Sequence, residues 1–118
     1  MSMRPDEFQL LTHIAESTTL IIQWTADKTR EDYSQDSLLR SAVERQFIII
    51  GESVNLLLRV DPSIEVRITD YRSVISFRNF LVHGFFQVDD SRVWDIVTEK
   101  VPVLHREISE LLREQEER

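Results

Sequence analysis

The residue types best suited to chemistry lie together in one stretch, Arg78-Asn79-Phe80-Leu81-Val82-His83-Gly84-Phe85. Arginine stays charged and can hold two phosphate oxygens at once. Histidine, with a reference pKa of about 6.5, accepts or donates a proton near neutrality. Cleavage of a ribonucleotide needs a base for the 2′-hydroxyl, an acid for the leaving oxygen and positive charge beside the phosphorane. Arg78 and His83 are therefore candidates for metal-independent chemistry on a phosphodiester.

The element that must position these side chains is a helix. At about 100° per residue, Arg72, Ser76, Asn79 and His83 fall within a strip about 60° wide on its surface. Arg78 lies outside this strip, on the apolar side, and five residues separate it from His83. On a straight helix the two side chains therefore point about 140° away from each other.

This geometry allows two interpretations of the segment. In the first, His83 is a cation in a last helical turn, where it suits the helix dipole, and Arg78 buries its stem and pairs with Glu44 or Glu52. In the second, the helix deforms near Gly84, or a second subunit supplies the missing half of a site. Arg78 and His83 then converge on one phosphate.

Composition favours an all-α protein. The 118 residues fit one domain, residues 1–118, that is large enough to bury a core. Only two glycines and three prolines are present, too few for the turns of a many-stranded β fold. The chain has no cysteine, which excludes disulfides and thiolate metal sites.

Charge and hydropathy limit the partners and the location. The net charge of −7 disfavours binding of nucleic acid by the whole surface, so such binding needs a local positive patch. The start, Met1 to Asp6, lacks the apolar run of a signal peptide, and the longest apolar run, Phe47 to Ile50, is too short to span a bilayer. A cytoplasmic location is expected.

Periodicity predicts a first helix over about Asp6 to Lys28 and a second from Asp36 or Ser37 to Arg59. The polar segment from Thr29 to Gln35 between them is interpreted as a loop, and Asp36 as a helix N-cap. The second helix is apolar around most of its circumference, which predicts a central place in a bundle or at a dimer interface. Gly51 within it suits the close approach of a neighbouring helix, and Asp61-Pro62 ends it.

A short turn over Ser63 to Arg67 precedes a third helix, which begins near Thr69 or Asp70 and ends at Gly84 in the left-handed position. A fourth helix starts at Asp89-Asp90-Ser91 and runs to about Glu114, and Pro102 should kink it or split off its first turns. The tail, Arg113 to Arg118, is expected to fray. Together these elements predict an antiparallel bundle of four to five helices.

Several segments together resemble a known family. Arg78 to His83 matches the Arg-x-x-x-x-His motif of HEPN domains, with a polar residue directly after the arginine. Val43-Glu44-Arg45-Gln46 and Ile49-Ile50-Gly51-Glu52-Ser53 are similar to the second helix of the HepT-like branch. Val93-Trp94-Asp95-Ile96-Val97 and Val101-Pro102 are similar to its fourth helix. The resemblance extends in order over nearly the whole chain.

This resemblance implies a HEPN helical bundle that forms a homodimer, with the two motifs facing each other across the seam. It also implies a metal-independent endoribonuclease without a cofactor, acting as the toxin of a toxin–antitoxin pair. The antitoxin would be a small nucleotidyltransferase of the MntA type. By matched position Arg78 and His83 would be catalytic and Asn79 supporting, and Arg72 and Ser76 are candidate RNA contacts on the same strip.

One residue departs from the family pattern. HepT-like motifs commonly carry a tyrosine two residues after the histidine, whose hydroxyl the partner adenylylates, and this chain has Phe85 there. Phenylalanine has no oxygen to modify, so the partner would inhibit by binding alone or modify another residue. Tyr33 and Tyr71 do not match the position. Phe85 and the net charge both favour an alternative, a non-catalytic helical partner of a nucleotidyltransferase.

The remaining candidates have simpler interpretations. His13 and His105 lack a second ligand at metal-binding spacing, so they are interpreted as structural or exposed. Asp89-Asp90 is a helix cap rather than a metal site. Trp24 and Trp94 are core or interface residues. The glutamates near the end form a solvated acidic face: Glu107, Glu110, Glu114, Glu116 and Glu117.

Overall fold

A computed structural model describes residues 5–116, apart from the side chains of Pro5 and Phe85. Within this range the chain forms six α-helices, two short 3₁₀ helices and no strand, so the all-α prediction is confirmed. The α-helices are α1 (Pro5–Thr25), α2 (Arg30–Gln35), α3 (Ser37–Val60), α4 (Tyr71–His83), α5 (Asp90–Glu99) and α6 (Val101–Glu116). The 3₁₀ helices are Pro62–Arg67 and Phe85–Gln87.

Helix α2 lies where a polar loop was predicted, and that prediction was wrong. Thr29 caps the helix by accepting a hydrogen bond from the Asp32 backbone N–H at 3.1 Å, and the Asp32 carboxylate accepts one from the Thr29 N–H at 2.9 Å. Tyr33 is fully buried, with its ring centroid 5.6 Å from that of Trp94. A local capping box and one buried aromatic side chain therefore stabilise a helix whose other residues are polar.

Helix α3 is the centre of the bundle, as its apolar circumference predicted. It packs against α1 and against α4. Asp36 caps it by accepting a hydrogen bond from the Leu39 N–H at 3.0 Å, and Asp61 ends it, so both predicted boundaries are confirmed. Its buried residues are Leu39, Val43, Phe47, Ile50, Gly51, Ser53, Val54 and Leu57.

The predicted fourth helix is split in two at Pro102, as expected. Helix α5 ends at Glu99, and Pro102 is the second residue of α6, where its missing N–H leaves no hydrogen bond unmade. The prediction that the tail frays from Arg113 was wrong for the described residues, because α6 continues to Glu116. Arg67 donates to the Glu114 carboxylate at 3.0 Å and holds this last part of α6. Residues 117–118 lie outside the described range.

Buried side chains from all six helices form one hydrophobic cluster. Helix α1 contributes Leu11, Ile14 and Ile21, and α6 contributes Leu104, Ile108 and Leu111. His105 joins these two helices, since its Nδ1 lies 2.8 Å from the Thr18 hydroxyl. None of the helices in the described range is long and apolar enough to cross a membrane.

Candidate active site on helix α4

Helix α4 is held at its start by contacts with α5 and α6. Asp70, which precedes the helix, has a left-handed backbone (φ 57°), and its carboxylate lies 3.2 Å from the Lys100 ammonium group. Glu107 accepts hydrogen bonds from the Thr69 N–H at 3.1 Å and from the Thr69 hydroxyl at 2.7 Å. The first turn of α4 is thereby fixed relative to the last two helices.

Along its length α4 runs antiparallel to α3 and packs closely against it. The rings of Phe47 and Phe77 meet edge to face, with centroids 5.1 Å apart. One turn along, a Cβ built on Gly51 would lie 2.2 Å from the Cβ of Arg78 and 3.2 Å from the Val74 carbonyl oxygen. The predicted close approach at Gly51 is confirmed, and the residue that approaches it is Arg78.

The guanidinium of Arg78 is partly held and partly open. Its Nη1 donates to the Asn79 side-chain oxygen at 2.9 Å, and its Nη2 lies 4.0 Å from a Glu52 carboxylate oxygen. Its Nε is buried and has no hydrogen-bond partner among the described residues. The side chain is 29% exposed. The pairing with Glu52 matches the first interpretation of the sequence, whereas Glu44 lies elsewhere, beside Arg40 and Asp90.

His83 is the last residue of α4, and its side chain is exposed to solvent. Within residues 5–116 it makes no hydrogen bond or ion pair with the protein. The Gly84 N–H donates to the Phe80 carbonyl oxygen at 2.6 Å, so regular helical bonding continues past His83. The helix does not deform near Gly84, and a straight helix keeps Arg78 and His83 about 140° apart. One copy of the chain does not bring the two side chains together.

Gly84 ends α4, but not in the left-handed conformation that the sequence predicted, because its φ is −121°. The need for a residue without a side chain at position 84 is explained by Phe80 instead. A Cβ on Gly84 would lie 3.0 Å from the Phe80 ring and 3.1 Å from the Phe80 carbonyl oxygen. The absent side chain lets the aromatic ring of Phe80 rest against the backbone at the helix end.

The exposed strip predicted on α4 is present. Arg72, Ser76, Asn79 and His83 are all exposed to solvent. The Arg72 guanidinium lies over the Tyr71 ring, 5.6 Å from its centroid, and donates from Nε to the Tyr71 hydroxyl at 3.1 Å. The strip therefore presents a cation, a hydroxyl, an amide and an imidazole along one edge of the molecule.

A cleft of about 820 Å³ separates α4 from α5 and α6. Arg72 and Ser76 line it on α4, and Arg92 lines it on α5. Phe80, on its wall, is 39% exposed. The sequence did not indicate this cleft, or that Phe80 and Arg92 line it. Phe80 lies inside the motif and one helical turn from His83, which is the one signal that could have indicated it.

The other residues singled out from the sequence have structural roles. His13 is exposed, and His105 is tied to Thr18. Asp89 caps α5 by accepting a hydrogen bond from the Ser91 N–H at 2.9 Å, as predicted. The acidic residues of α6 do more than form a solvated face, because Glu107 and Glu114 accept the hydrogen bonds described above. No three histidine or carboxylate side chains of residues 5–116 lie close enough to hold a metal ion.

The two tyrosine hydroxyls of the chain, on Tyr33 and Tyr71, have different surroundings. Tyr33 is buried, and its hydroxyl has no hydrogen-bond partner among the described residues. Burial first of all, and then the nearby Glu44 and Asp90 carboxylates, raise its pKa far above the ordinary value. Tyr71 donates to Glu65 at 3.2 Å. The side chain of Phe85 is outside the described structure, but the residue type leaves no hydroxyl at that position.

The family profile described as ribonuclease HepT-like matches residues 14–111, which is most of the chain and includes the whole of helices α2 to α5. The chain belongs to the ribonuclease HepT-like family. This membership agrees with the resemblance found in the motif and in the segments of α3 and α5. No solved structure matches the HepT-like chain.

Curated relatives of the HepT-like chain carry ribonuclease names. It is 32% identical over 112 residues, 95% of its length, to the gamma-glutamylcyclotransferase and putative RNase of Methanocaldococcus jannaschii, and it spans 50% of that protein. It is 31% identical over 108 residues to a putative RNase of the same organism, covering 92% of the chain and 97% of that relative. It is 31% identical over 113 residues to the probable ribonuclease HepT of Thermococcus cleftensis, and the match covers 92% of the chain and 98% of that relative.

Proposed function

We propose that this HepT-like protein is a metal-independent endoribonuclease that uses Arg78 and His83. The observation that carries the proposal is the state of Arg78. Its Cβ is fixed against Gly51, while its guanidinium is only partly satisfied and has a buried N–H without a partner in the part of the chain that the structure describes. On the same helix, His83 is exposed and makes no hydrogen bond within the described residues. An arginine held in this way is preorganised for an anion, and an accessible imidazole can move protons.

The proposed reaction needs only these groups. A His83 imidazole takes the proton of the ribose 2′-hydroxyl, whose oxygen attacks the adjacent phosphorus. The bond from phosphorus to the 5′-oxygen breaks, and an imidazolium returns a proton to that leaving oxygen. Arg78 stabilises the extra negative charge of the phosphorane through its N–H groups. The products are a 2′,3′-cyclic phosphate and a 5′-hydroxyl.

A homodimer would bring the two groups together. Since α4 is a regular helix from Tyr71 to His83, Arg78 and His83 of one copy point in different directions. A second copy related by a twofold axis would place its own His83 near the first copy's Arg78, so that each of the two sites joins one Arg78 to one His83, which acts first as base and then as acid. Two exposed apolar side chains around the end of α4, Val82 and Phe86, would be covered in such a dimer.

Incubation of purified protein with RNA and excess chelator tests the activity. We expect cleavage by the native protein and none by His83→Ala. Mixing His83→Ala with Arg78→Ala then tests the shared site. Random reassociation should restore about a quarter of the native rate, because half of the dimers are mixed and each has one intact site of two. If the mixture stays inactive while native protein cleaves, Arg78 and His83 act within one copy.

The proposed cellular role follows from family membership. The protein would be a cytoplasmic toxin formed by one HepT-like domain, residues 1–118, and its antitoxin a nucleotidyltransferase of the MntA type. Phe85 removes the usual hydroxyl, so neutralisation would depend on binding or on another residue. Co-expression with the protein of the adjacent reading frame should relieve growth arrest and yield a stable complex. Growth arrest that persists in a stable complex would argue against the antitoxin role.

A second candidate function is a non-catalytic subunit of the same nucleotidyltransferase. The contact between Arg78 and Glu52 favours it, because a carboxylate already lies 4.0 Å from the guanidinium. Gel filtration with and without the partner distinguishes the two functions. A complex that forms readily, together with a free chain that does not cleave RNA, supports the non-catalytic role.

A further inference from the structure

The cleft beside α4 is lined by Phe80, which lies one helical turn before the proposed catalytic residue His83. Lys100 Nζ lies 3.2 Å from Asp70 Oδ2, so the end of α5 meets the start of α4, and only a short 3₁₀ helix connects the other ends. The two helices therefore run antiparallel along the cleft. Arg92, near the start of α5, accordingly stands at the same end of the cleft as Phe80, near the end of α4.

The wall at this end of the cleft is aromatic and preorganised. Phe80 is 39% exposed, and its ring is confined by the backbone at Gly84, 3.0 Å from where a Cβ would lie. Phe77 lines the cleft beside it and is itself fixed by the ring of Phe47. A half-exposed ring whose position is already determined loses little side-chain entropy when another flat ring stacks on it.

The charges around the cleft leave two cations available. Four carboxylates line the cleft. Asp70 is paired with Lys100, and Asp95 is paired with Arg30 at 2.7 Å. Asp89 accepts a hydrogen bond from the Ser91 N–H, and Glu99 makes no ion pair among the described residues. Arg72 and Arg92 have no carboxylate within 4.0 Å among the described residues. A protein with a net charge of −7 thus places two guanidinium groups without a carboxylate partner along one apolar cleft, Arg72 on α4 and Arg92 on α5. Apolar aromatic walls with basic edges are the features that bind single-stranded nucleic acid.

We propose that this cleft binds the nucleobase next to the scissile phosphate, with Phe80 as its stacking surface and Arg92 contacting the flanking phosphate. This inference rests on the proposed ribonuclease function and names a base-binding subsite for it. Phe80 precedes His83 by three residues, so the two side chains are neighbours on the helix surface. A base on Phe80 therefore belongs to a nucleotide adjoining the phosphate at His83. The cleft volume of about 820 Å³ falls within the range of small-molecule sites.

Binding measured without cleavage tests the subsite. The His83→Ala protein is titrated with a fluorescent 2′-O-methyl RNA pentamer, which lacks the attacking hydroxyl. Adding Phe80→Ala should weaken binding by about five- to 100-fold, and Phe80→Trp should restore it, because stacking tolerates any large ring. Phe80→Leu, which keeps the apolar area but not the ring, should bind as weakly as Phe80→Ala. Phe8→Ala, an exposed phenylalanine on α1 away from the cleft, is the matched control.

The phosphate contact has its own test. Arg92→Gln should weaken binding and lower the slope of log Kd against log salt by about 0.7, the value for one contact to a single strand. Arg106 is an exposed arginine of α6 that does not line the cleft, so Arg106→Gln should leave the affinity and its salt dependence unchanged.

Three results would overturn the subsite. The first is an affinity for the pentamer that does not change when Phe80→Ala is introduced. The second is rescue by leucine as well as by tryptophan, which would mean simple apolar contact. The third is a loss of dimer by light scattering in Phe80→Ala with unchanged affinity, which would mean that a second copy fills the cleft. Cleavage and binding are measured separately, so pentamer binding that depends on Phe80 in a protein without ribonuclease activity would refute the catalytic proposal alone.

Discussion

Gly51 and Arg78 lie so close that a single added methyl group on Gly51 would meet the Cβ of Arg78 at 2.2 Å. Both atoms are attached directly to the backbone, so no rotation of a side chain relieves the contact. The separation of α3 and α4 at this point is therefore set by the absence of a side chain on residue 51. The position of the Arg78 guanidinium depends on that separation.

Gly51→Ala should destabilise the protein although alanine is the better helix former. Alanine contributes about 1 kcal/mol of helix propensity, whereas overpacking at a rigid contact costs about 1–3 kcal/mol. We expect a lower midpoint of urea unfolding and, in the fraction that remains folded, a loss of RNA cleavage. Ser41→Ala, at an exposed position of the same helix, is the control for propensity. Unchanged unfolding in Gly51→Ala would mean that α4 moves freely relative to α3.

Glu52→Gln should release Arg78 without unfolding the protein. The carboxylate is 59% exposed and 4.0 Å from the guanidinium, so the pair contributes about 0–1 kcal/mol to stability. Removing its charge leaves the phosphate without a competitor for Arg78, and we expect KM for RNA to fall while kcat stays the same. Steady-state kinetics on Glu52→Gln and on Glu16→Gln, an exposed glutamate of α1, checks this. A fall in kcat instead would show that Glu52 positions Arg78 for the reaction.

Tyr33→Phe should stabilise the protein slightly at neutral pH and more at high pH. The Tyr33 hydroxyl is buried without a partner among the described residues, and removing such a group gains about 1 kcal/mol. Burial raises the Tyr33 pKa well above its ordinary value of 10.0. Above pH 10 the unfolded chain loses this proton and the folded chain keeps it, so the free energy of unfolding falls as pH rises.

Denaturant unfolding of native protein and Tyr33→Phe between pH 7 and 11 measures both effects. The difference between the two proteins should be constant up to about pH 9 and then widen. A variant that is less stable than native protein at pH 7 would indicate that the hydroxyl has a partner, such as an ordered water molecule.

Glu44→Gln should raise stability at neutral pH. Burial, and then repulsion from Asp90, raise the pKa of Glu44 above its ordinary value of 4.5, and Arg40 opposes this shift. The ionised carboxylate is thus less favourable in the folded chain than in the unfolded chain. The protonated Glu44 side chain therefore contributes to the stability of the folded chain. This contribution is fully present below pH 4.5 and is lost as pH rises through the folded-state pKa. We expect a gain of about 1 kcal/mol or less at pH 7, because solvent screens the group.

Unfolding curves at pH 4 and pH 7 test the sign of this effect. The advantage of Glu44→Gln over native protein should be seen at pH 7 and should shrink at pH 4. If Glu44→Gln is more stable than native protein by the same amount at both pH values, the gain in stability comes from packing rather than from charge.

Features that depend on neighbouring residues in the sequence could be predicted well. The Asp36 cap and the break at Pro102 both follow from local backbone chemistry, and both are present. Gly51 was correctly interpreted as a point of close helix contact, because a glycine inside an apolar helix costs stability without such a use.

Features that depend on tertiary packing were missed. Helix α2 owes its stability to the burial of Tyr33 against Trp94, two residues far apart in the sequence. The cleft arises from the space between α4 and α5, and the hydrophobic periodicity of a sequence does not predict the distance between two helices. Gly84 was interpreted from its position after a helix, whereas its role comes from the ring of Phe80 folding back over it. The opposed directions of Arg78 and His83 were predictable, because helix geometry alone determines them.

Helix α4 carries the candidate site, yet Leu81 is the one residue within it that is buried. The central helix α3, by contrast, is buried along most of its length. The free energy of local opening rises with burial. Backbone amides of α4 should therefore exchange with deuterium faster than those of α3, through a local opening that leaves the core intact. RNA or a second copy of the chain would slow that exchange. The helix that carries the candidate site is thus less firmly held than α3 and can be reshaped by what binds to it.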